Sequence, residues 1–212
     1  MRNIFFLIAF SASAALAAPP RHVEIVYEVA RSGLALAEIA QVLEHDGRSY
    51  KLTEHWKGKG LLALKGDAMR TSEGAIAADG LRPRRFEDKR TGRDAREVKF
   101  DAAAKTPTLE QQDQLSLAWS FAFAPPRKAV SVSVADGKRV SHYGYEPAGR
   151  ERVKTPAGEF DALKFVKKRE RPQDKVTELW VTADRQNLPV RILVVDKDGA
   201  QYDQVATRIA VK

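Results

Sequence analysis

Apolar and polar residues alternate along most of the chain, and turn residues separate the alternating segments. From Val23 to Val29, every second residue is a large apolar or aromatic side chain. The segment from Val130 to Val134 alternates valine with serine in the same way. A period of two is typical of a β-strand that buries one face, so the pattern predicts a protein made mainly of strands.

Asp46-Gly47 favours a two-residue hairpin turn, because both turn positions need a positive φ. In that hairpin Glu38 faces His55, which indicates a cross-strand charge pair. The same register places five large side chains on one face, which we expect to be a core face: Ile39, Leu43, Tyr50, Leu52 and Trp56.

Further strands are predicted at most of the remaining alternating segments, mostly joined by short hairpins. The polar stretch from Arg70 to Gly74 is interpreted as a turn, or as backbone amides that bind an anion. Thr155-Pro156-Ala157-Gly158 is typical of a type I turn, after which Asp161, Leu163 and Phe165 share one strand face. The strands are predicted at 61–68, 81–90, 95–101, 130–134, 140–146, 151–154, 176–182, 189–196 and 201–211.

One segment departs from the strand pattern. Apolar residues recur at helical spacing from Thr108 to Phe123, Thr108 and Gln111 fit a capping box, and Pro125-Pro126 ends the segment. The fold class predicted is therefore mainly β, an antiparallel meander of about a dozen strands with one α-helix. Such a meander forms a strongly curved sheet or an open β-barrel, and a two-sheet sandwich is the alternative.

The first 17 residues resemble a secretory signal peptide. Arg2 precedes an apolar run from Ile4 to Phe10, and Ala15-Leu16-Ala17 fits a cleavage site. We expect cleavage after Ala17, a single domain over residues 18–212, a periplasmic location and no transmembrane segment in the mature chain.

The composition excludes some chemistry and favours anionic neighbours. The sequence contains no cysteine, which excludes thiol catalysis and thiolate metal sites, and its formal net charge is +8. A basic exported protein favours anionic lipid or lipopolysaccharide as a partner, whereas nucleic acid is not expected in that compartment. The charge is equally consistent with a role in solubility alone.

Basic residues concentrate in one predicted hairpin, where eight basic and four acidic residues lie between Arg82 and Lys99. A second basic cluster runs from Lys167 to Arg171. Such a surface attracts phosphate-bearing lipids, or it protects an edge strand from aggregation. The aromatic residues either pack in the core or line a ligand cleft. The candidate ligand-binding residues are Arg82, Arg84, Arg85, Arg90, Trp56 and Trp119.

Candidate catalytic and metal-binding groups are few. Of the four histidines, His45 and His55 lie at opposite ends of the predicted hairpin and cannot share a metal, so we expect neither a metal nor a cofactor. Asp113 and Ser116 are three residues apart on the predicted helix. A hydrolase would use Ser116 with His142 as its base, but no nucleophile elbow surrounds Ser116, and the structural interpretation is that Asp113 anchors the helix to the sheet.

Several motifs, taken in order, resemble the uncharacterised bacterial envelope family described as domain of unknown function 3108. They are Tyr27 with Gly33, Tyr50, Ser72-Glu73-Gly74, Gly80-Leu81-Arg82-Pro83, Phe100-Asp101, Asp113 to Leu117, Thr155 to Phe160, and Trp180 through Leu188-Pro189-Val190. The resemblance implies export and a β-rich fold, and it implies no reaction. More distantly, the expected architecture resembles the open barrels of the periplasmic lipoprotein carriers LolA and LolB, a likeness of fold alone.

Three functions, a leading one and two alternatives, are therefore consistent with the sequence. The first is a non-enzymatic, monomeric periplasmic binding or carrier module for an amphipathic or anionic envelope component. The alternatives are an envelope hydrolase with unidentified carboxylates, and a scaffold that binds another envelope protein by strand addition. An open apolar interior favours the carrier, paired acids favour the hydrolase, and a filled interior favours the scaffold.

Overall fold

The computed structural model describes residues 18–101, 110–169, 171, 174–184 and 186–212, so the predicted signal peptide lies outside the described residues. In the described residues one α-helix, α1, spans Ser116–Phe123, and a short 3₁₀ helix spans Gly60–Lys65. The strands are β1 (His22–Arg31), β2 (Leu34–His45), β3 (Ser49–Gly58), β4 (Ala68–Ala77), β5 (Gly80–Arg90), β6 (Arg96–Lys99), β7 (Gln112–Asp113), β8 (Val130–Ala135), β9 (Val140–Thr155), β10 (Gly158–Lys167), β11 (Val176–Thr182), β12 (Pro189–Val195) and β13 (Gln201–Val211).

All thirteen strands belong to one sheet, in the order β6-β5-β4-β3-β2-β1-β13-β12-β11-β10-β9-β8-β7. The first and last strands pair with each other, so the two ends of the described chain meet in the middle of the sheet. Every pair of neighbours is antiparallel except β7 with β8. The end strands β6 and β7 are not hydrogen-bonded to each other. The prediction of a mainly β, strongly curved sheet or open barrel with one helix is therefore confirmed.

The helix fills the interior and contacts strands from both halves of the sheet. Trp119 and Phe121 are fully buried, and the Phe121 ring lies 5.0 Å from the Phe165 ring, centroid to centroid. Ser120 Oγ accepts a hydrogen bond of 3.0 Å from the backbone N–H of Leu81 in β5. Gln112 Nε2 donates at 2.8 Å to the Leu81 carbonyl, which links β7 to β5 across the open side of the sheet.

The β2–β3 hairpin has a different register from the predicted one. Glu38 faces Lys57 and His55 faces Ala40, so the predicted pair of Glu38 with His55 is wrong. The reason lies in the turn, where Asp46 Oδ1 accepts the backbone N–H groups of Arg48 and Ser49, both at 2.7 Å, and lengthens the loop. The displacement is two residues, which preserves the face of every side chain. The four predicted core residues Ile39, Leu43, Tyr50 and Leu52 are accordingly buried, and Trp56 is half-buried.

The prediction of a strand over residues 61–68 is wrong, because a 3₁₀ helix occupies most of this segment. Gly60 and Gly66 both have a positive φ, at 56° and 73°, and they break the extended conformation on either side. The polar stretch interpreted as a turn, Arg70 to Gly74, lies inside β4 instead. Its inward-facing side chains Arg70 and Ser72 bond to Glu54 and Asp113 in the interior, so a strand can hold them there.

The helix is shorter than predicted and begins at Ser116. Gln112 and Asp113, which were predicted to be helical, form β7 alongside β8, and Thr108 lies outside the described residues. Asp113 Oδ1 accepts the N–H groups of Leu115 at 2.8 Å and Ser116 at 2.7 Å. These bonds satisfy amides at the start of the helix that have no carbonyl partner within it.

One detail of the second half also differs from the predictions. The predicted strands at 140–146 and 151–154 are one long strand, β9. The predicted turn at Pro156-Ala157 is confirmed. The register between β9 and β10 shifts between Leu163 and Phe165, where β9 has the extra residue. Against β11, the residues Ala162 to Val166 pair without interruption, so Leu163 and Phe165 share a strand face as predicted.

Candidate functional site

A row of polar side chains crosses the inner face of the sheet over five neighbouring strands. Successive cross-strand partners from β2 to β6 are Gln41, Glu54, Arg70, Asp88 and Arg96. We call these residues the polar row. The next row along the strands is mostly apolar and contains Leu43, Leu52, Ser72, Phe86 and Val98. The polar row therefore interrupts an otherwise apolar inner face.

Neighbouring groups of the polar row bond to one another. Gln41 Nε2 donates to Glu54 Oε2 at 2.8 Å, and Arg70 Nη1 donates to Glu54 Oε1 at 2.8 Å. Arg70 Nε lies 3.6 Å from Asp88 Oδ1 and has no hydrogen-bond partner among the described residues. Trp119 Nε1 donates to Gln41 Oε1 at 2.9 Å, so the helix is bonded to one end of the row.

Asp88 lies near three guanidinium groups, those of Arg70, Arg90 and Arg96. Its side chain is only 2% exposed, and Arg90 Nη2 donates to its Oδ2 at 2.8 Å. Arg96 Nη1 lies 3.9 Å from the same oxygen. Burial acts to raise the pKa of Asp88, but the Arg90 hydrogen bond and the charges of Arg70, Arg90 and Arg96 together lower it. Two carboxylates, Glu54 and Asp88, thus face three guanidinium groups, and the cluster keeps a positive charge.

The polar row opens to solvent at one end of β3, β4 and β5. The opening is a cleft of about 310 Å³, whose lining includes Trp56, Gly66, Asp67, Arg70, Arg90 and Arg93. We call it the arginine cleft. Its one carboxylate, Asp67, lies 3.2 Å from His55 Nε2. The cleft therefore combines three guanidinium groups with one aromatic wall, which suits an anionic group such as a phosphate.

Backbone packing holds the outer wall of the arginine cleft in place. A Cβ atom on Gly66, which has a positive φ of 73°, would lie 2.4 Å from Thr91 Cβ, so the β5–β6 turn packs directly on this glycine. The Thr91 N–H also donates to the Asp67 carbonyl at 3.0 Å. These contacts fix Arg90 and Arg93, on either side of the turn, relative to Trp56.

The structure separates the predicted ligand-binding residues. Trp56 and Arg90 line the arginine cleft. Arg84 and Arg85 line a different cleft of about 630 Å³ at the other end of the strands, together with His22 and His45. We call this the histidine cleft. Arg85 Nε donates to Glu97 Oε1 at 2.7 Å.

The other two predicted residues line neither of these clefts. Arg82 lies half-buried near the start of β5. Trp119 belongs to the helix, and its side chain is fully buried in the core. Arg70 was not among the predicted ligand-binding residues because it was assigned to a turn. The spacing of Arg70, Ser72 and Gly74 by two is the signal that could have placed it on an inner strand face.

A second buried polar cluster joins the helix to β3 and β4. The hydroxyls of Tyr50 and Ser72 are 2.9 Å apart, and Ser72 Oγ donates to Asp113 Oδ2 at 2.6 Å. Asp113 N–H donates in turn to Ser116 Oγ at 3.0 Å. Burial raises the pKa of Asp113 to about 6, against the opposing effect of its hydrogen bonds. This geometry fits the anchoring role interpreted from the sequence.

Catalytic and metal-binding arrangements have little geometric support in the described residues. Ser116 is fully buried. His142 is exposed on β9, and its Nδ1 lies 2.8 Å from Ser133 Oγ. Ser116 and His142 therefore do not form a nucleophile and its base. In the part of the chain that the structure describes, no group of three histidine, aspartate or glutamate side chains could hold a metal ion. The described helices are too short or too polar to cross a membrane.

The model of the family described as protein of unknown function DUF3108 matches residues 25–205. The chain belongs to the DUF3108 family. Several of the motif residues that carry the resemblance, such as Tyr50, Ser72 and Asp113, are buried in the interior of this DUF3108 protein. Among curated proteins none matches this member of the family.

Several solved structures are similar to this DUF3108 protein. A β-barrel-like protein of domain of unknown function DUF1849 from Brucella abortus has 8% sequence identity and a TM-score of 0.53, with coverage of 92% of this chain and 99% of its own. A putative lipoprotein from Parabacteroides distasonis is 12% identical, with a TM-score of 0.41 and coverage of 92% and 98%. A putative exported protein with a YmcC-like fold from Bacteroides fragilis is 11% identical, with the same TM-score and coverage.

Proposed function

We propose that this DUF3108 protein is an exported, non-enzymatic binding module for an anionic envelope component, and that the arginine cleft holds the anionic group. The observation that carries the proposal is the position of Arg70, Arg90 and Arg93 around one opening beside Trp56. Arg93 is exposed and has no ion-pair partner within the described residues. It therefore offers a guanidinium group that no carboxylate of the described chain neutralises.

A phosphate group is the chemistry that this cleft suits best. Guanidinium groups bind phosphate through paired N–H donors, and the Trp56 ring supplies an apolar wall for the atoms beside the phosphate. Phospholipid headgroups and the phosphates of lipopolysaccharide both carry such a group. Because the helix occupies the interior, we do not place an acyl chain there. The proposal therefore places only the headgroup in the protein.

A competing candidate is the scaffold function, and two observations favour it. The interior is filled by the helix, and β6 is paired on one side only within the described residues. An unpaired strand edge can accept a strand from another protein. A scaffold has no need of the arginine cleft, which gives the two candidates different outcomes in a binding measurement.

The test measures binding of dihexanoyl phosphatidylglycerol, below its micelle concentration, by calorimetry and by the melting temperature of the protein. Inorganic phosphate and glycerol phosphate serve as smaller probes, and dihexanoyl phosphatidylcholine as the zwitterionic comparison. The anionic probes are expected to bind and to raise the melting temperature, because a ligand that binds only the folded state stabilises it. Substituting Arg93→Ala should weaken binding by roughly tenfold, the cost of about one charge-assisted hydrogen bond.

Arg84→Ala is the matched control, since Arg84 is also exposed but lines the histidine cleft. The variant should bind the anionic probes as the wild type does. If Arg84→Ala loses binding and Arg93→Ala keeps it, the anion lies in the other cleft and the proposal is wrong. If no probe binds or shifts the melting temperature, the binding function fails and the scaffold is favoured. Release of phosphate from glycerol phosphate would instead indicate a hydrolase.

A further inference from the structure

The 3₁₀ helix between β3 and β4 presents two leucines to solvent. Leu61 is 85% exposed and Leu64 is 86% exposed, the highest exposures among the large apolar side chains of the described residues. In a 3₁₀ helix, residues three apart lie above each other on the same side. The two leucines therefore point in one direction and form a small apolar projection. We call the 3₁₀ helix with these two leucines the leucine turn.

The leucine turn is attached firmly to the sheet, so its exposure does not come from a loosely held loop. The Lys59 N–H donates to the Leu36 carbonyl of β2 at 2.7 Å, and the Gly66 N–H donates to the Ala63 carbonyl at 3.2 Å. A Cβ atom on Gly58 would lie 2.4 Å from the Leu62 carbonyl oxygen, so the backbone of the turn packs closely on β3.

Basic residues flank the leucine turn. The sequence has lysines at 57, 59 and 65 and no acidic residue between them. Lys57 is exposed and has no ion-pair partner among the described residues, and Lys59 Nζ lies 2.9 Å from Glu28 Oε2. Leu34 lies two residues before the Leu36 contact and is 71% exposed, which adds apolar surface at the neighbouring hairpin.

We propose that the leucine turn docks the protein on an anionic bilayer, with Leu61 and Leu64 entering the interfacial region and the neighbouring lysines contacting lipid phosphates. Apolar side chains beside lysine are a combination by which peripheral proteins bind a charged membrane surface. The net charge of +8 adds a long-range attraction to the same surface.

A second copy of the chain is a less suitable occupant of the leucine turn. In a symmetric dimer the same patch faces itself, so the lysines of both copies would be brought together. Such like charges disfavour self-association and favour a surface of opposite sign. The proposal does not depend on the anion site. Gly66 and Asp67 follow the leucine turn and line the arginine cleft, so docking would bring the arginine cleft close to the lipid headgroups.

The experiment measures co-sedimentation of residues 18–212 with vesicles of phosphatidylethanolamine and phosphatidylglycerol, and with vesicles of phosphatidylcholine alone. The wild type should bind the anionic vesicles, bind phosphatidylcholine weakly, and release from the anionic vesicles at high salt. The double substitution Leu61→Ser and Leu64→Ser should lower the partition coefficient by about tenfold or more, because two apolar side chains no longer enter the bilayer. The melting temperature should stay the same, since both side chains are exposed.

Val211→Ser is the control, because Val211 is 40% exposed on β13 beside Val23, at the opposite end of the strands from the leucine turn, and should bind as the wild type does. A Leu61→Trp variant should bind at least as strongly, and brominated acyl chains should quench its added fluorescence.

Unchanged binding of the double-serine variant, equal binding to phosphatidylcholine, or no quenching of Leu61→Trp would each overturn the proposal. So would concentration-dependent dimerisation, seen by sedimentation velocity, that the serine variant abolishes. Calorimetric binding of glycerol phosphate by the double-serine variant should equal that of the wild type, which separates the outcome for the leucine turn from that for the anion site.

Discussion

Ser72 Oγ donates a hydrogen bond of 2.6 Å to Asp113 Oδ2, and both residues are completely buried. Ser72 belongs to β4, in the first half of the sheet, whereas Asp113 precedes the helix. The bond therefore fixes the start of the helix against a strand that lies 41 residues earlier in the chain. Because Asp113 also accepts two backbone N–H groups at the helix start, one carboxylate sets both the position and the beginning of the helix.

We expect Asp113 to make the stability of the protein depend on pH between about 4 and 6. Burial raises its pKa from 3.8 to about 6 in the folded state. Between these values the folded state holds a proton that the unfolded state has released, so the free energy of unfolding falls as pH rises. The stabilisation is fully present below the unfolded pKa and is lost as pH passes the folded one. The whole effect amounts to about 3 kcal/mol at most.

Asp113→Asn checks this expectation, since the amide does not ionise. Its Oδ1 still accepts the backbone N–H groups, and its Nδ2 can donate to Ser72 Oγ, which keeps the geometry. Denaturant unfolding of both proteins from pH 4 to pH 8 should show that the wild type loses more stability than the variant as pH rises. Equal pH dependence in the two proteins would show that Asp113 keeps an ordinary pKa.

Local sequence signals predicted the strands that have one apolar face and short turns. From Val23 to Tyr27 the alternation corresponds directly to buried and half-buried positions. The signal failed where the inner face is polar. Arg70 and Ser72 in β4 point inward, and only partners on other strands and beside the helix make this arrangement stable. Those partners lie far away in sequence, so the local pattern favoured a turn.

The candidate site was harder to predict than the fold. The polar row needs the registers of four strand pairs at once, and an error in any of them breaks it. The turn at Asp46 lengthens the first hairpin through side-chain bonds that the Asp-Gly pair does not reveal. The basic residues of the β5–β6 hairpin were recognised as a cluster, but the sequence did not show that Arg84 and Arg90 line different clefts.

Gly74 is expected to tolerate no side chain. A Cβ atom there would lie 2.1 Å from the Arg82 carbonyl oxygen and 2.8 Å from Pro83 Cα, both backbone atoms of β5. The register shift between β4 and β5 occurs at this point, and the proline lies opposite the glycine. Gly74→Ala should therefore destabilise the protein by about 1–3 kcal/mol, measured by denaturant unfolding.

Gly144 provides the comparison for Gly74. It also lies in a strand, but a Cβ atom there would be in ordinary contact, 3.4 Å from Lys168 Cβ. Gly144→Ala should change the free energy of unfolding by no more than about 0.5 kcal/mol. If both alanine variants unfold at the same denaturant concentration, the close approach of β5 to Gly74 does not constrain the sheet.

Glu54 is expected to limit how strongly the arginine cleft attracts an anion. Its side chain is 6% exposed, and its Oε1 accepts the 2.8 Å bond from Arg70, which lines the cleft. Glu54→Gln keeps the size of the side chain but removes the negative charge, so Arg70 is left with Asp88 alone at 3.6 Å. The variant should lose about 1–3 kcal/mol of stability, because a largely buried charge loses its partner.

Inorganic phosphate should then raise the melting temperature of Glu54→Gln more than that of the wild type, since the cleft carries one more net positive charge. Glu97→Gln, which removes a carboxylate bonded to Arg85 away from the cleft, should respond to phosphate as the wild type does. A phosphate response in Glu54→Gln no larger than in Glu97→Gln would mean that the polar row does not set the charge of the cleft.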